Sequence, residues 1–377
     1  MNNPGILYTV AMFLLVIGPL IFIHELGHYF AGRLFGVKAD TFSIGFGREV
    51  AGWTDKRGTR WKVGWMPLGG YVKFKGDMNP ASTPSDEWMS LPAAERAQTF
   101  QAKPLWQRFI IVAAGPMTNF LFAVVALMIL FATIGYPTNP AIVGGVARGD
   151  VAQRAGFQPG DRILAVNGNA ITLYTELQSY VALRPDEPML FNVERGGRTL
   201  EIQATPRLHV EVDRFGNQIR IGRIGVVQSG VRTYEKLPFY RLPVAAVDQV
   251  IDSIQTMVTA LGQVVSGRRS VSELGGPLKI AEVSGQQASL GWLPYFWLMI
   301  MISINLGFIN LLPIPLLDGG HLLFYVIEGV RRKPLRPEAQ EWAFRTGLAV
   351  LLALMIFVTF NDLASFGLFN GLGRLIG

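Results

Sequence analysis

Long stretches without a charged side chain constrain this chain more than any other feature. Four have the length and apolar character of transmembrane helices: Ile6 to about Phe35, whose uncharged part ends at His24, then Phe109–Ile134, Gly291–Leu317 and about Trp342–Phe360. The last is interrupted only by Arg345, close enough to its end to snorkel. Hydrophobic residues make up 50% of the 377 and charged ones 16%, too few to cover an ordinary soluble surface. Cysteine is absent, which excludes disulfides and thiolate metal sites. No basic region precedes the first apolar run, so that segment is expected to be retained rather than cleaved as a signal peptide.

Charge asymmetry orients the spans. Twelve Lys and Arg lie between the first two spans, from Arg33 to Arg108, and Arg331, Arg332, Lys333 and Arg336 lie between the last two. Positive loops stay in the cytoplasm. Both termini, and the long segment Gly135 to Leu290, are therefore expected outside. Domain limits follow: 1–36 and 109–135 as the first two spans, 37–108 between them, 136–208 and 209–290 outside, 291–317 and 342–360 as the later spans, 318–341 as their cytoplasmic loop, and 361–377 as an external tail.

The external segment opens with short apolar runs separated by turns, as in "AGFQPGDRILAVNGNAI" and "PMLFNVERGGRTLEIQA", with a helix expected over Leu173–Leu183. A small α+β module is expected there. From Val247 to Val265 apolar residues recur at helical spacing, on a face that either packs on neighbours or lies on the bilayer. The cytoplasmic loop holds "RWKVGWMPLGGYVKFKG", read as a hairpin of Lys62–Met66 and Tyr71–Phe74 across a Pro-Leu-Gly-Gly turn. Its apolar content suits a membrane-associated hairpin, whose pairing satisfies its backbone. An open strand edge there could hold an extended peptide through Gly69, Gly70, Tyr71, Val72 and Lys73.

The chemistry concentrates at "HELGH", His24 to His28. Residues four apart on a helix lie about 40° apart around its axis, so both imidazoles project from one face. That is the arrangement of two zinc ligands, with Glu25 as the base that takes a proton from water. A catalytic zinc needs a third ligand. Asp318, at the end of the uncharged run from Gly291, is the leading candidate; His321 competes, and a helix N-cap is the plain alternative for the aspartate.

"HELGH", "GPMTNF" (Gly115–Phe120) and "NLLPIPLLDGG" (Asn310–Gly320) together resemble the site-2 protease family, in its bacterial regulator-of-sigma-E protease branch. The resemblance implies an intramembrane zinc endopeptidase: Zn2+ on His24, His28 and Asp318, Glu25 activating water, and Asn310 holding the substrate backbone or the oxyanion. It implies a membrane re-entrant β-structure at "GFG" (Gly45–Gly47) and "PLGGYVKF". It implies as substrates single-span membrane proteins, such as an anti-sigma factor already cut on its external side, and remnant signal peptides, in the bacterial inner membrane. The stretch "GDVAQRAGFQPGDRILAVNG" (Gly149–Gly168) resembles a PDZ domain, in a single copy. The whole is expected to be a polytopic α-helical membrane protein with four transmembrane helices, a membrane-associated β-hairpin and an external PDZ-like α+β domain. Its rival from another class is a non-catalytic membrane scaffold with a structural metal, which would have no need for Glu25.

Overall fold

The computed structural model describes residues 5–76, 91–138, 140–212, 218–228, 233–267 and 276–365. The chain divides into two units, one of residues 1–126 with 275–362 and one of 127–274 with 363–377.

In the first unit, helix α1 (Ile6–Leu34) is followed by strands β1 (Ala39–Thr54) and β2 (Arg60–Phe74). Helix α2 (Leu105–Thr133) begins in this unit and runs on into the second. Four helices among the described residues are long and apolar enough to cross a membrane: α1, α2, and two described below, over Trp292–Asn310 and Glu338–Asp362. Glycine sets how closely α1 and α2 approach. A Cβ at Gly27 would collide with the Ala114 carbonyl and the Thr118 hydroxyl. Such small-residue contacts are how membrane helices reach van der Waals contact without help from the hydrophobic effect. Thr118 also donates across the interface to the Ile23 carbonyl, 3.1 Å away.

Strands β1 and β2 differ from the simple hairpin expected from sequence. Lys62–Met66 and Tyr71–Phe74 do not face each other across Pro-Leu-Gly-Gly; both belong to β2, and residues 41–44 lie between them. On one side 42–44 meet 70–72, and on the other 41–44 meet 60–63, while 51–54 cover the far side of 60–63. The ribbon is thus four segments wide. Positive φ at Gly45 (82°), Gly47 (85°) and Gly69 (96°) lets each long strand bend back without a side-chain clash. Phe42, Phe74, Tyr29 and Ile111 form the core joining the ribbon to α1 and α2.

The second unit contains, in chain order, β3 (Tyr136–Thr138), β4 (Val143–Val146), α3 (Val151–Ala155), β5 (Arg162–Val166), β6 (Asn169–Ala170), α4 (Tyr174–Ala182), β7 (Met189–Arg195), β8 (Arg198–Ala204), β9 (Arg207–Val212), β10 (Gln218–Arg223), β11 (Val226–Gln228), β12 (Thr233–Glu235) and α5 (Leu242–Val265). A four-stranded sheet runs β6-β5-β7-β8, and β4 pairs with β11. Alternation decides the face: Met189, Phe191 and Val193 of β7 are buried with Ile163, Leu177 and Phe157. Ile224 joins this core and β11 pairs with β4, so the module extends beyond the limit at 208 drawn from sequence.

Back in the first unit, α6 (Pro277–Ser289) lies against α1, where a Cβ at Gly285 would meet Thr9. Sequence reading placed no helix here. Its N-terminus is capped by Asp362, which accepts from the Gly276 and Lys279 amides at 3.1 Å each. Then come α7 (Trp292–Asn310), α8 (Asp318–Arg331) and α9 (Pro337–Ser365). The third span therefore ends at Asn310, not Leu317. Pro313 and Pro315 cannot continue the helix, and Leu316 turns the chain with φ 82°. The segment drawn as a loop from 318 holds a helix of 14 residues.

Candidate metal centre

Five elements meet at one cavity of about 320 Å³, whose lining includes His24, Glu25 and His28 of α1, Ile111 and Val112 of α2, Asn310 of α7 and Asp318 and His321 of α8. Gly70, Tyr71 and Val72 of β2 close one side. Of the peptide-holding residues expected from sequence, these three and Asn310 line the cavity, and Gly69 and Lys73 are not in the lining.

His24 and His28 are one helical turn apart, and their Nε2 atoms lie 3.2 Å from each other. Asp318 Oδ2 is 3.1 Å from His24 Nε2 and 3.4 Å from His28 Nε2. Ligands of a tetrahedral zinc, at bond lengths near 2.0–2.1 Å, stand about 3.3 Å apart. Three donor atoms at that mutual separation match one face of such a tetrahedron. Asp318 Oδ2 is buried and has no well-aligned hydrogen-bond donor, although both imidazoles are near. Its geometry suits a shared cation better than a pair of hydrogen bonds. His321 is outside this group of three.

Local structure explains how the aspartate reaches the site. A Cβ at Gly319 would strike the Leu311 and Leu312 carbonyls, and one at Gly320 the Ile314 carbonyl. The two glycines therefore let α8 start hard against the Pro-containing turn. Asp318 occupies the first turn of α8 rather than the capping position, which Leu317 holds. Its charge still suits the helix N-terminus, but its carboxylate is directed to the imidazoles.

The far ring nitrogens are also engaged. His28 Nδ1 lies 2.9 Å from the Ile111 carbonyl, a pure acceptor, so the ring donates there and leaves Nε2 free to coordinate. Asn119 Nδ2 lies 3.1 Å from His24 Nδ1, and Asn119 Oδ1 is buried without a partner. Exchanging the two amide atoms satisfies both: His24 Nδ1–H would then donate to the oxygen, and both histidines would present Nε2 lone pairs to the same point. Sequence reading assigned Asn119 no part. It is a polar side chain in an apolar span, inside the "GPMTNF" motif, and that was the available signal. Gly115 matters equally, because a Cβ there would overlap the His28 ring.

Glu25, 7% exposed, faces the cavity beside the two histidines. Val72 of β2 lines the same cavity beside it. The close approach requires Gly70, where a Cβ would lie 2.9 Å from Glu25 Cγ. The ribbon thus positions the acid as well as walling the cavity.

The model of peptidase family M50 matches residues 12–354. The chain belongs to peptidase family M50, the site-2 protease family of zinc metalloproteases. Metalloprotease MmpA of Caulobacter vibrioides is 38% identical over 394 residues, covering 98% of this chain and 99% of its own. Chains of Agrobacterium fabrum and Rhizobium meliloti that carry provisional zinc metalloprotease names are 41% and 40% identical over 361 residues, covering 94% of this chain and 96% of each relative. With several apolar helices of spanning length, the chain is a multi-pass membrane zinc metalloprotease.

Proposed function

We propose that this protease cuts peptide bonds inside the membrane, within the transmembrane segments of single-span proteins. The observation that carries the reading is the convergence of His24, His28 and Asp318 beside Glu25, on helices that flank or belong to spanning segments. In this reading the three converging side chains hold zinc. When bound, the metal lowers the pKa of water toward about 7 and polarises a carbonyl. Glu25 takes the proton of the attacking water and returns it to the leaving nitrogen. Asn310, at the end of α7, holds the substrate carbonyl or backbone.

A helix shields its amides with its own hydrogen bonds, so the substrate must be extended before it can be cut. The edge of β2 at residues 70–72 lines the cavity and supplies a strand for that purpose. We assign the second unit's module, around Gly149–Gly168, a PDZ-like role as a size filter or a reader of the substrate's new end. Substrates proposed for the chain are an anti-sigma factor already cut on its external side and remnant signal peptides. The proposed setting is the bacterial inner membrane, with both termini and the PDZ-like module in the periplasm.

The test is cleavage of a single-span helix by the full chain in lipid vesicles, with the cut mapped by mass. A cut within the span that stops on chelation and returns with zinc is expected. A cut outside the span, or none with zinc restored, would contradict the reading.

A further inference from the structure

We infer that His321 is a further catalytic residue of this site, donating a hydrogen bond from its imidazole to the carbonyl oxygen of the peptide being cut. The inference rests on the roles proposed above for His24, His28, Asp318 and Glu25.

His321 stands one helical turn after Asp318, and side chains three apart on a helix are neighbours. Its imidazole lines the cavity that holds the other groups. It is nonetheless outside the group of three converging donor atoms. The rings of His24 and His28 each have both nitrogens engaged. His321 differs: among the described residues its contacts are ring packing, 4.9 Å to Phe344 and 6.5 Å to Tyr325 between ring centroids. The packing holds the ring, and among the described residues its nitrogens have no hydrogen-bond partner. Phe344 is itself placed by α9, which approaches the Pro-containing turn so closely that a Cβ at Gly347 would meet Pro315. A rigid imidazole with unspent hydrogen-bonding capacity beside the reacting groups is what a transition-state donor requires.

The step balances without further reagents. The water oxygen bonds to the carbonyl carbon while its proton passes to Glu25, and the carbonyl π pair moves onto oxygen. The His321 N–H donates to that oxygen as its charge grows. On collapse the C–N bond breaks and Glu25 delivers the proton to nitrogen. His321 neither gains nor loses a proton, so the neutral ring suffices.

Two substitutions in the full chain, in lipid vesicles, test this. His321→Phe preserves the ring packing without a donor, and His321→Gln retains a donor. Both should keep wild-type zinc content. His321→Phe should lose about 10²- to 10³-fold in kcat with KM little changed, as for removal of an oxyanion donor. His321→Gln should recover at least tenfold of that. A peptide phosphinate, whose oxygen mimics the charged transition state, should lose affinity in parallel with kcat/KM, while an uncleaved substrate peptide binds as before. Loss of zinc, unchanged kcat, or equal weakening of phosphinate and substrate peptide would overturn the assignment. If His321→Phe fails to fold, His321→Leu supplies the donor-free arm. Glu25→Gln in the same vesicles separates the two levels. Full cleavage by it refutes the underlying reading, whereas an inactive Glu25→Gln beside a fully active His321→Phe refutes only the role of His321.

Discussion

At the scale of single residues, two imidazoles and a carboxylate whose donor atoms lie within 3.4 Å compete for the same small volume. On the proposed reading zinc resolves that competition. Replacing His24, His28 or Asp318 by Ala is expected to abolish stoichiometric zinc in purified protein, measured by elemental analysis, while His321→Ala leaves it. Asn119→Leu should weaken zinc affinity about 10- to 100-fold without removing a ligand, as loss of an orienting partner does; competition with a chelator reads it. The second unit has its own residue-scale dependency. Asp161 is fully buried and takes Arg195 Nε at 2.6 Å, Arg195 Nη2 at 2.7 Å and the Gln158 amide at 2.8 Å. Burial alone would push its carboxyl up, but these donors hold it below its usual value. The pair's contribution is therefore complete at neutral pH. It fades as pH falls below the ordinary carboxylate range and through the lowered folded value. Arg195→Ala should cost this module about 2–3 kcal/mol at pH 7, seen as faster amide exchange in β5 and β7, with a smaller difference in acid.

At the scale of elements, the ribbon of β1 and β2 carries a sharper expectation than a generic strand edge. Val72 lines the cavity beside Glu25, on the edge proposed to take the substrate, so Val72→Pro should spoil that edge, with zinc retained. Lys73 is one residue on, where the backbone amide faces the opposite way, and it lies outside the cavity lining. Lys73→Pro is expected to act through pairing with 41–44 instead, and Lys73→Ala to be mild. Helix-breaking residues placed in a substrate span should raise its cleavage rate, because less helix remains to unwind. Equal rates for stiff and loosened substrates, measured in vesicles, would contradict a role for extension.

The same elements show where sequence is legible. The spans were readable because absence of charge is a local signal, and HELGH because its two histidines share a helix face. Ribbon topology was not. Which segment lies beside which depends on bends at Gly45, Gly47 and Gly69 and on packing with Tyr29 and Phe74, none of it local. Helix α6 was missed because its polar face weakens the apolar pattern, although Gly276-Pro277 offered a start signal. Asn119 was missed because its partner lies 95 residues away.

At the scale of the whole molecule, the two positive loops predict orientation. Reporters fused near Gly76 and Lys333 should be cytoplasmic, and those at Gly168 and Gly377 external. A cytoplasmic Gly168 would put the second unit's module on the wrong side for the externally cut substrate proposed above. All of this matters only if the zinc centre works as a protease through Glu25, and one comparison bears on that most directly: the rate at which zinc-loaded Glu25→Gln cuts a single-span helix, beside wild type in the same vesicles. A proton acceptor in the transition state is worth roughly 10²- to 10⁴-fold. The variant should therefore bind zinc as wild type does and cut at least a hundredfold more slowly. Cleavage within a few-fold of wild type, with zinc bound, would contradict the account.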